Sequence, residues 1–393
     1  MINQKVSITL ENLETFCKSN KFSGYDPYDT LNSFINISLL GTYFSAISIQ
    51  IQKRNPVNIR PLLGIKKGIN PKAMGLFLKA YSILYNKTGA KEYLLEAKNI
   101  FQWLQSNFSA GFSGKCWGYN FDWASPVSYL NAYTPSVVVT SFVIDGIFEY
   151  YKLTKDPRAA ECILSSADYI LKDIPISKLD KGISFSYTHQ TQDVCYNASL
   201  LAAEILAKAN LLESNPESLK LIKDALEFVL SRQKSDGSWY YSFDINANKE
   251  RRQIDFHQGF ILVSLHNILE ITGLINSELV PAISKGLEFY KKEQFDANGR
   301  AMWRLPKKWP VDIHNQSQGI ITFSHLREYH PDYYHFAHTI AKWTIKNMLS
   351  KKGYFYYRLT PLFINKISYM RWSQAWMMLA LAEVIEPTSD ETV

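Results

Sequence analysis

The sequence predicts an all-α protein: a closed (α/α)6 toroid of six helical hairpins, its C-terminal helix packing against the N-terminal segment. Three observations lead there. Helical patterns come in pairs along the 393 residues. The first member of each pair is rich in small and apolar residues (ASLLAAEILA, GFILVSL, GIITFS), while the second carries Lys and Glu at regular spacing, as an inner and an outer ring would. Between pairs a loop motif returns: GKCWGYNFDW from Gly114, KGISFSYTHQ from Lys181, SDGSWYYSF from Ser235, NGRAMWRLPK from Asn298 and KGYFYYRLTP from Lys352. Its glycines recur at roughly 60 residues, the length of a helical hairpin plus a long loop.

Taken in order, the N-terminal segment has helical patterns at about 6–19 and 30–52. The first pair covers 70–89, ending at Gly89, and 91–107. The second covers 134–154 and 156–173, where Asp156 is a natural N-cap and Pro157 occupies the first helical position. The third, fourth and fifth pairs cover 193–212 with 216–234, 253–273 with 276–295, and 312–330 with 331–349. The helix at 368–386 has no following partner and is strongly apolar, so pairing it with the N-terminal segment gives a sixth hairpin and closes the ring. An open solenoid would instead need polar capping repeats at both ends. Residues 1–393 read as one domain.

In such a ring each long loop joins an outer helix to the next inner helix, so all the long loops emerge on one face. The glycine permits the turn after the outer helix. The aromatic and polar residues after it are expected to line the mouth of a central cavity, and function is expected there. Tight turns such as KTGA and LTKDP lie on the opposite face.

Composition narrows the functional classes. A chain with 46% hydrophobic and 20% charged residues is a folded protein. The 24 Tyr and 9 Trp exceed what a core alone needs and suit a large polar groove. The net charge of +7 serves solubility or the attraction of an anionic ligand. Lysines fall in small clusters rather than a long basic run, which argues against nucleic acid. Cys17, Cys116, Cys162 and Cys195 lack the spacing of a zinc knuckle or a disulfide framework. No stretch is long and apolar enough to span a bilayer, and the N-terminus lacks a signal-peptide core. A cytoplasmic protein without metal or cofactor is expected.

Two inner helices open alike, with Asp255-Phe-His257-Gln258-Gly259 and Asp312-Ile-His314-Asn315-Gln316, and a third opens with Asp193-Val-Cys195-Tyr196-Asn197. Asp is a favoured N-cap, but capping does not require a His two residues later. A repeated Asp-x-His at the mouth offers general acid/base groups or a grip on hydroxyls; a metal would need a third ligand at fixed spacing. The loop Trp117-Gly118-Tyr119-Asn120-Phe121-Asp122-Trp123 is the densest cluster. It reads either as stacking platforms around a carboxylate, which a sugar requires, or as a loop anchored by buried rings. Asp122, Asp255, His257, Asp312 and His314 are therefore the candidate catalytic residues. Candidate substrate contacts are Asp26, Asp29, Trp117, Tyr119, Trp123, Tyr187, His189, Trp239, Trp303 and Gln316. Arg304, Arg358 and Arg371 join them, suiting a carboxylate or phosphate bidentately, although each alone is more often a structural ion-pair partner.

Several chemistries lack their residues. The run QKSDGSW is similar to the structural Gln-Trp motif of triterpene cyclases, yet neither DDxxD nor DxDD is present. A lanthionine-cyclase-like zinc site lacks its Cys-His pair, and no P-loop, strand-borne GxGxxG or GxSxG elbow occurs.

GYDPYDTLNS (24–33), WGYNFDW (117–123), DIHNQSQGIITFS (312–324) and YMRWSQAWM (369–377) together resemble bacterial polysaccharide-biosynthesis proteins of the VpsJ-like group. More distantly the layout is similar to six-hairpin glycosidases, polysaccharide lyases and sugar epimerases. The resemblance spans most of the chain. It implies a role in making or trimming exopolysaccharide, capsule or lipopolysaccharide glycan, with an oligo- or polysaccharide as partner. A non-catalytic glycan-binding or scaffold component of a biosynthetic complex is the alternative.

Overall fold

The computed structural model describes residues 2–126, 128–274 and 278–386. Helix starts follow the local chemistry of the chain. Asn70, Ser136, Asp156 and Asn215 each accept a backbone N–H from the first turn of the helix they precede, and Pro71, Pro157 and Pro216 follow three of them. These caps open α3 (Pro71–Thr88), α5 (Val137–Thr154), α6 (Pro157–Asp173) and α8 (Pro216–Ser231). The remaining helices are α1 (Ile2–Ser19), α2 (Thr42–Arg54), α4 (Lys91–Ser106), α7 (Tyr196–Leu212), α9 (His257–Thr272), α10 (Leu279–Gln294), α11 (Ile313–His325), α12 (Asp332–Met348) and α13 (Trp376–Val384). A π-helical turn, Met370–Ala375, leads into α13. The expected helix over 276–295 is observed from Leu279; positions 276 and 277 lie outside the described residues.

The inner ring runs α3, α5, α7, α9, α11, α13 and back to α3, each helix packing on the next. The outer members α4, α6, α8, α10 and α12 lie beside their inner partners, and α1 packs on α13 to complete the sixth hairpin. The ring is closed, as its patterning predicts. α7 is buried from Tyr196 through Ala209, whereas α8 buries one stripe that includes Ile222, Ala225 and Val229. Toward the tight turns the centre is filled by an ion network. Lys79 and Lys208 both pair with Asp145 (2.7 and 2.8 Å), and Lys208 also pairs with Glu204 (2.7 Å).

One expected element is different. Residues 30–52 do not form a single helix, because Gly41 takes a left-handed backbone (φ 89°) and separates the short turns at Asp29–Asn32 and Ile37–Leu40 from α2.

The recurring loop motif has a structural explanation. Gly182, Gly237, Gly299 and Gly353 have φ between 67° and 96°, the turn conformation expected. Gly114 does not; a Cβ there would sit 1.8 Å from the Ser165 carbonyl oxygen, so close approach is what fixes it. Two or three residues past each glycine, one backbone N–H is caught by a polar side chain of the following inner helix. Trp117 donates to Thr140, Phe185 to Ser199, Trp239 to Gln258, Ala301 to Gln316 and Phe355 to Gln374. The three glutamines also donate back to loop carbonyls. The motif is therefore a rivet between loop and ring that satisfies backbone groups which would otherwise be buried unpaired.

Where α3 crosses α5 the backbones touch: a Cβ on Gly146 would lie 2.3 Å from the Gly75 carbonyl oxygen. Gly146→Ala is expected to lower unfolding free energy by about 1–3 kcal/mol through overpacking, read as a lower urea midpoint with unchanged m-value.

Candidate functional site

On the long-loop face the ring opens into a cavity of about 1730 Å³. Neighbouring loops are stitched around it by short strand pairs. Val194–Cys195 pairs with Ser242–Phe243, and Val311–Asp312 with Leu359–Arg358, so each loop end is held against the next hairpin. α2 lies along one side of the rim, contributing Tyr43, Ile47, Ile51 and Lys53.

Two imidazoles face this cavity from the starts of α9 and α11. His257 Nδ1–H donates to Asp255 Oδ1 at 2.5 Å, which fixes the ring and leaves Nε2 for a ligand. The other Asp255 oxygen accepts from Gln253 at 2.7 Å and stands 3.4 Å from Arg304. Burial raises the Asp255 carboxyl, but the His257 ring and then Arg304 outweigh it, and the group lies below the usual carboxylate range. Asp255 is thus a carboxylate at neutral pH.

His314 is different. It is buried among Phe256, Trp372 and Trp376, with ring centroids at 4.4, 4.5 and 4.6 Å, and neither ring nitrogen has a protein partner. Burial, reinforced by Lys72 and Arg371, pushes its imidazolium far down, so the ring is neutral. Phe256 touches both imidazoles, its centroid 4.3 Å from that of His257.

Two lysines, absent from the sequence-level candidates, complete the lining. Lys72, in the first turn of α3, is buried, and among the described residues no hydrogen bond or ion pair reaches its Nζ. It lies over Phe142 at 4.2 Å and near Trp376 at 5.4 Å. Burial lowers its pKa well below the usual lysine range, and Arg371 adds to this. Lys53 donates to the Tyr28 hydroxyl and lies over the Tyr28 ring at 4.0 Å. Burial, then Arg358, brings its amine down to about 7. The sequence signal was available: residues 30–91 contain no Asp or Glu but nine Lys and Arg.

Of the other candidates, Tyr119, Trp123, Tyr187, Trp303, Arg304 and Arg371 line the cavity. Arg371 is already held bidentately by Asp26 (2.6 and 2.7 Å). Asp26 and Asp29 are not in the lining; Asp29 pairs with Arg60 at 2.6 Å, so both carboxylates anchor the N-terminal turn. Asp122 also lies outside, accepting from the Tyr129 hydroxyl at 2.6 Å and the Ala132 N–H at 2.7 Å within its own hairpin. Trp117 and Trp239 are fully buried, their indole N–H groups donating to the carbonyls of Leu104 and Val229. They are core anchors rather than platforms, and Gln316 is a loop rivet.

Asp312 accepts from the His314 N–H (3.0 Å), from Trp372 Nε1 (2.8 Å) and from Arg358 (2.6 Å), with no exposure. Capping and charge pairing occupy it completely, and Arg358 is held outside the lining with it. His189 lies at a separate surface hollow of about 550 Å³, packed edge-on against Phe112 at 4.9 Å. Asp193 lines the cavity but does not cap α7; it accepts from the Tyr187 N–H and the Thr191 hydroxyl.

Among the described residues, one group has metal-ligating side chains close together: His266, Glu270 and Glu328. It lies at the tight-turn end of the ring, about two and a half turns along α9 from His257. Both glutamates are exposed, and the cavity chemistry does not involve them.

No protein-family model matches the sequence, and no curated protein does so significantly. Solved structures do match. A sugar epimerase from a ruminal bacterium superposes with a TM-score of 0.61 at 14% identity, over 82% of this chain and 90% of that one. Cellobiose 2-epimerase from Bacillus thermoamylovorans gives 0.62 at 14%, over 81% and 90%. An unsaturated glucuronyl hydrolase specific for heparin gives 0.62 at 14%, over 98% and 96%. These likenesses establish the fold, that of six-hairpin glycosidase-like (α/α)6 toroids.

Proposed function

We propose that the chain is a carbohydrate-processing enzyme that binds an anionic sugar in the central cavity and moves a proton on it. The observation that carries this reading is the pairing of unlike imidazoles in a basic cavity: His257 oriented by ionised Asp255, His314 neutral and unpartnered, with Lys53 and Lys72 in the same lining. Tyr119, Trp123, Trp303 and Trp372 give flat apolar surfaces of the kind on which pyranose faces pack. The surface-polysaccharide role implied by the sequence resemblance fits the same cavity, which is large enough for more than one sugar unit.

The lining favours chemistry at a C–H bond over hydrolysis. A glycosidase needs two carboxylates with free oxygens flanking the bond. Among the described residues the lining has three carboxylates: Asp255 is tied to His257, Asp193 is tied to its own loop, and the exposed Asp244 accepts the Ala247 N–H of its hairpin turn. An imidazole base suits a carbon next to a carbonyl or carboxylate. His257 Nε2 takes the C–H proton, and the bonding pair moves onto the neighbouring oxygen as the enolate forms. Return of a proton to the opposite face gives an epimer; departure of a β-substituent with the electron pair gives a lyase product. The proton returned is the one that His257 has taken, delivered after the enolate has turned its other face to the imidazolium; His314, neutral, offers a hydrogen bond to the ligand. Solved structures of this fold include both sugar epimerases and glycoside hydrolases, so the choice rests on the lining residues.

An anionic ligand brings its charge against two lysines whose protonation burial opposes, so binding draws protons onto them. Calorimetry in buffers of different ionisation enthalpy is expected to show proton uptake, and affinity falls as pH rises through about 7, where Lys53 loses its proton. Lys72→Met is expected to abolish that affinity while raising Tm by a few degrees. The stability gain has a defined pH sense. The folded-state pKa of Lys72 lies below its unfolded value, so unfolding takes up a proton in that window and wild-type stability rises with pH; the variant loses that contribution. A screen of uronate oligosaccharides, nucleotide sugars and neutral sugars, followed by product chromatography, tests the reading. Binding without any new product supports the scaffold alternative instead.

A further inference from the structure

Large apolar side chains are normally scattered singly on a protein surface. Here most of the exposed ones gather in two short stretches, residues 34–62 and 362–364. Leu39 is 81% exposed and Leu362 92%, and Leu40, Phe44, Ile51 and Phe363 are exposed with them. The two stretches are neighbours, because the Asn365 side chain donates to the Asn55 carbonyl at the end of α2. The patch adjoins the cavity mouth: Tyr43, Ile47 and Ile51 of α2 belong both to the exposed apolar set and to the cavity lining. Catalysis as described uses none of the outward-facing residues.

Charge identifies the occupant. Within residues 33–68 and 359–366 there is no Asp or Glu, and the exposed charges are Arg54, Lys66, Lys67 and Lys366. A two-fold pairing with a second copy would set this acid-free surface against itself, with no carboxylate to meet the basic residues. An amphipathic helix with apolar residues outward and Lys or Arg at its flank matches a bilayer interface whose headgroups are anionic. α2 has that composition: its outward side carries Tyr43, Phe44, Ile47 and Ile51, and the exposed Arg54 stands in its last turn.

We propose that this face docks on an anionic lipid bilayer, with α2 and the 362–364 loop seated at the headgroup boundary and the cavity mouth directed toward the membrane. Docking is peripheral; among the described residues no helix is long and apolar enough to cross a membrane. The inference is independent of the sugar-processing reading, since vesicle binding needs no substrate.

The test is sedimentation of the full chain with phosphatidylglycerol vesicles, with phosphatidylcholine vesicles, and with the former at high salt. Wild type is expected to pellet with the anionic vesicles, and to do so at least tenfold less with the zwitterionic ones or at high salt. The triple variant Leu39→Ser, Phe44→Ser, Leu362→Ser is expected to lose at least tenfold in partitioning. Its circular dichroism melt should be unchanged, because these side chains contact solvent. Lys66→Glu with Lys67→Glu should weaken binding to the anionic vesicles alone. The proposal is overturned if wild type ignores anionic vesicles. It is equally overturned if light scattering shows a dimer that the triple variant dissolves, which would assign the face to a second copy.

Discussion

His257→Asn is expected to leave the fold intact and to lower turnover of the bound sugar about 100- to 10,000-fold, the contribution of a positioned general base. The side chain lines the cavity and is only partly buried, hydrogen-bonded to Asp255 and packed on Phe256 and Tyr241. Asn keeps a polar group near the position of Nδ1 but is smaller and has no titratable nitrogen. Asp255→Asn should act in the same direction, because the neutral amide no longer stabilises an imidazolium and can turn its NH2 toward Nδ1, which selects the wrong tautomer. The readouts are kcat and KM measured separately. A loss confined to KM would mean that His257 grips the ligand without moving a proton.

The second large effect concerns stability. Asp312→Asn is expected to destabilise the fold by about 3–5 kcal/mol, because it leaves the Arg358 guanidinium buried without its counter-charge. Against a total of about 5–15 kcal/mol that is a severe loss. Arg358 would retain only its contacts over Trp303 and Tyr357, both 4.3 Å from the guanidinium carbon. Replacing both partners at once, as Asp312→Asn with Arg358→Met, should recover a good part of the loss, since no orphan charge remains. Urea titrations of the single and double variants decide the matter. A single variant that melts like wild type yet loses turnover would move Asp312 into the chemistry.

Asp255 and Asp312 begin with the same sequence device and end differently. Both precede an inner helix and both accept the N–H of the histidine two residues on. What separates them is the partner brought by tertiary structure: a half-buried imidazole for one, a buried arginine 46 residues away for the other. Local sequence carries no information about that choice. The ring itself was legible because the 3.6-residue stripe differs so clearly between inner and outer helices, and because caps such as Asn70 and Asp156 mark their starts.

The loop aromatics show the limit of pattern reading. Trp117 and Trp123 belong to one run, yet one is a core anchor and the other faces the cavity. The recurrence of an aromatic after glycine signalled a repeated rivet, and its partner was in view as Thr140, Ser199, Gln258, Gln316 and Gln374 on the inner helices. Lys53 and Lys72 were harder to foresee. A lysine in a helical pattern ordinarily reads as a solvated face, and only ring closure turns the first turn of α3 inward.

The most direct measurement of the central claim is solvent exchange. The protein is incubated in deuterium oxide with the anionic sugar it binds most tightly, and the sugar is followed by proton and carbon nuclear magnetic resonance. The account predicts loss of one C–H signal next to the carbonyl or carboxylate, with deuterium in the recovered sugar or its epimer, and no such change with His257→Asn. Release of a shorter sugar with every C–H bond intact would contradict it and return the cavity to hydrolysis.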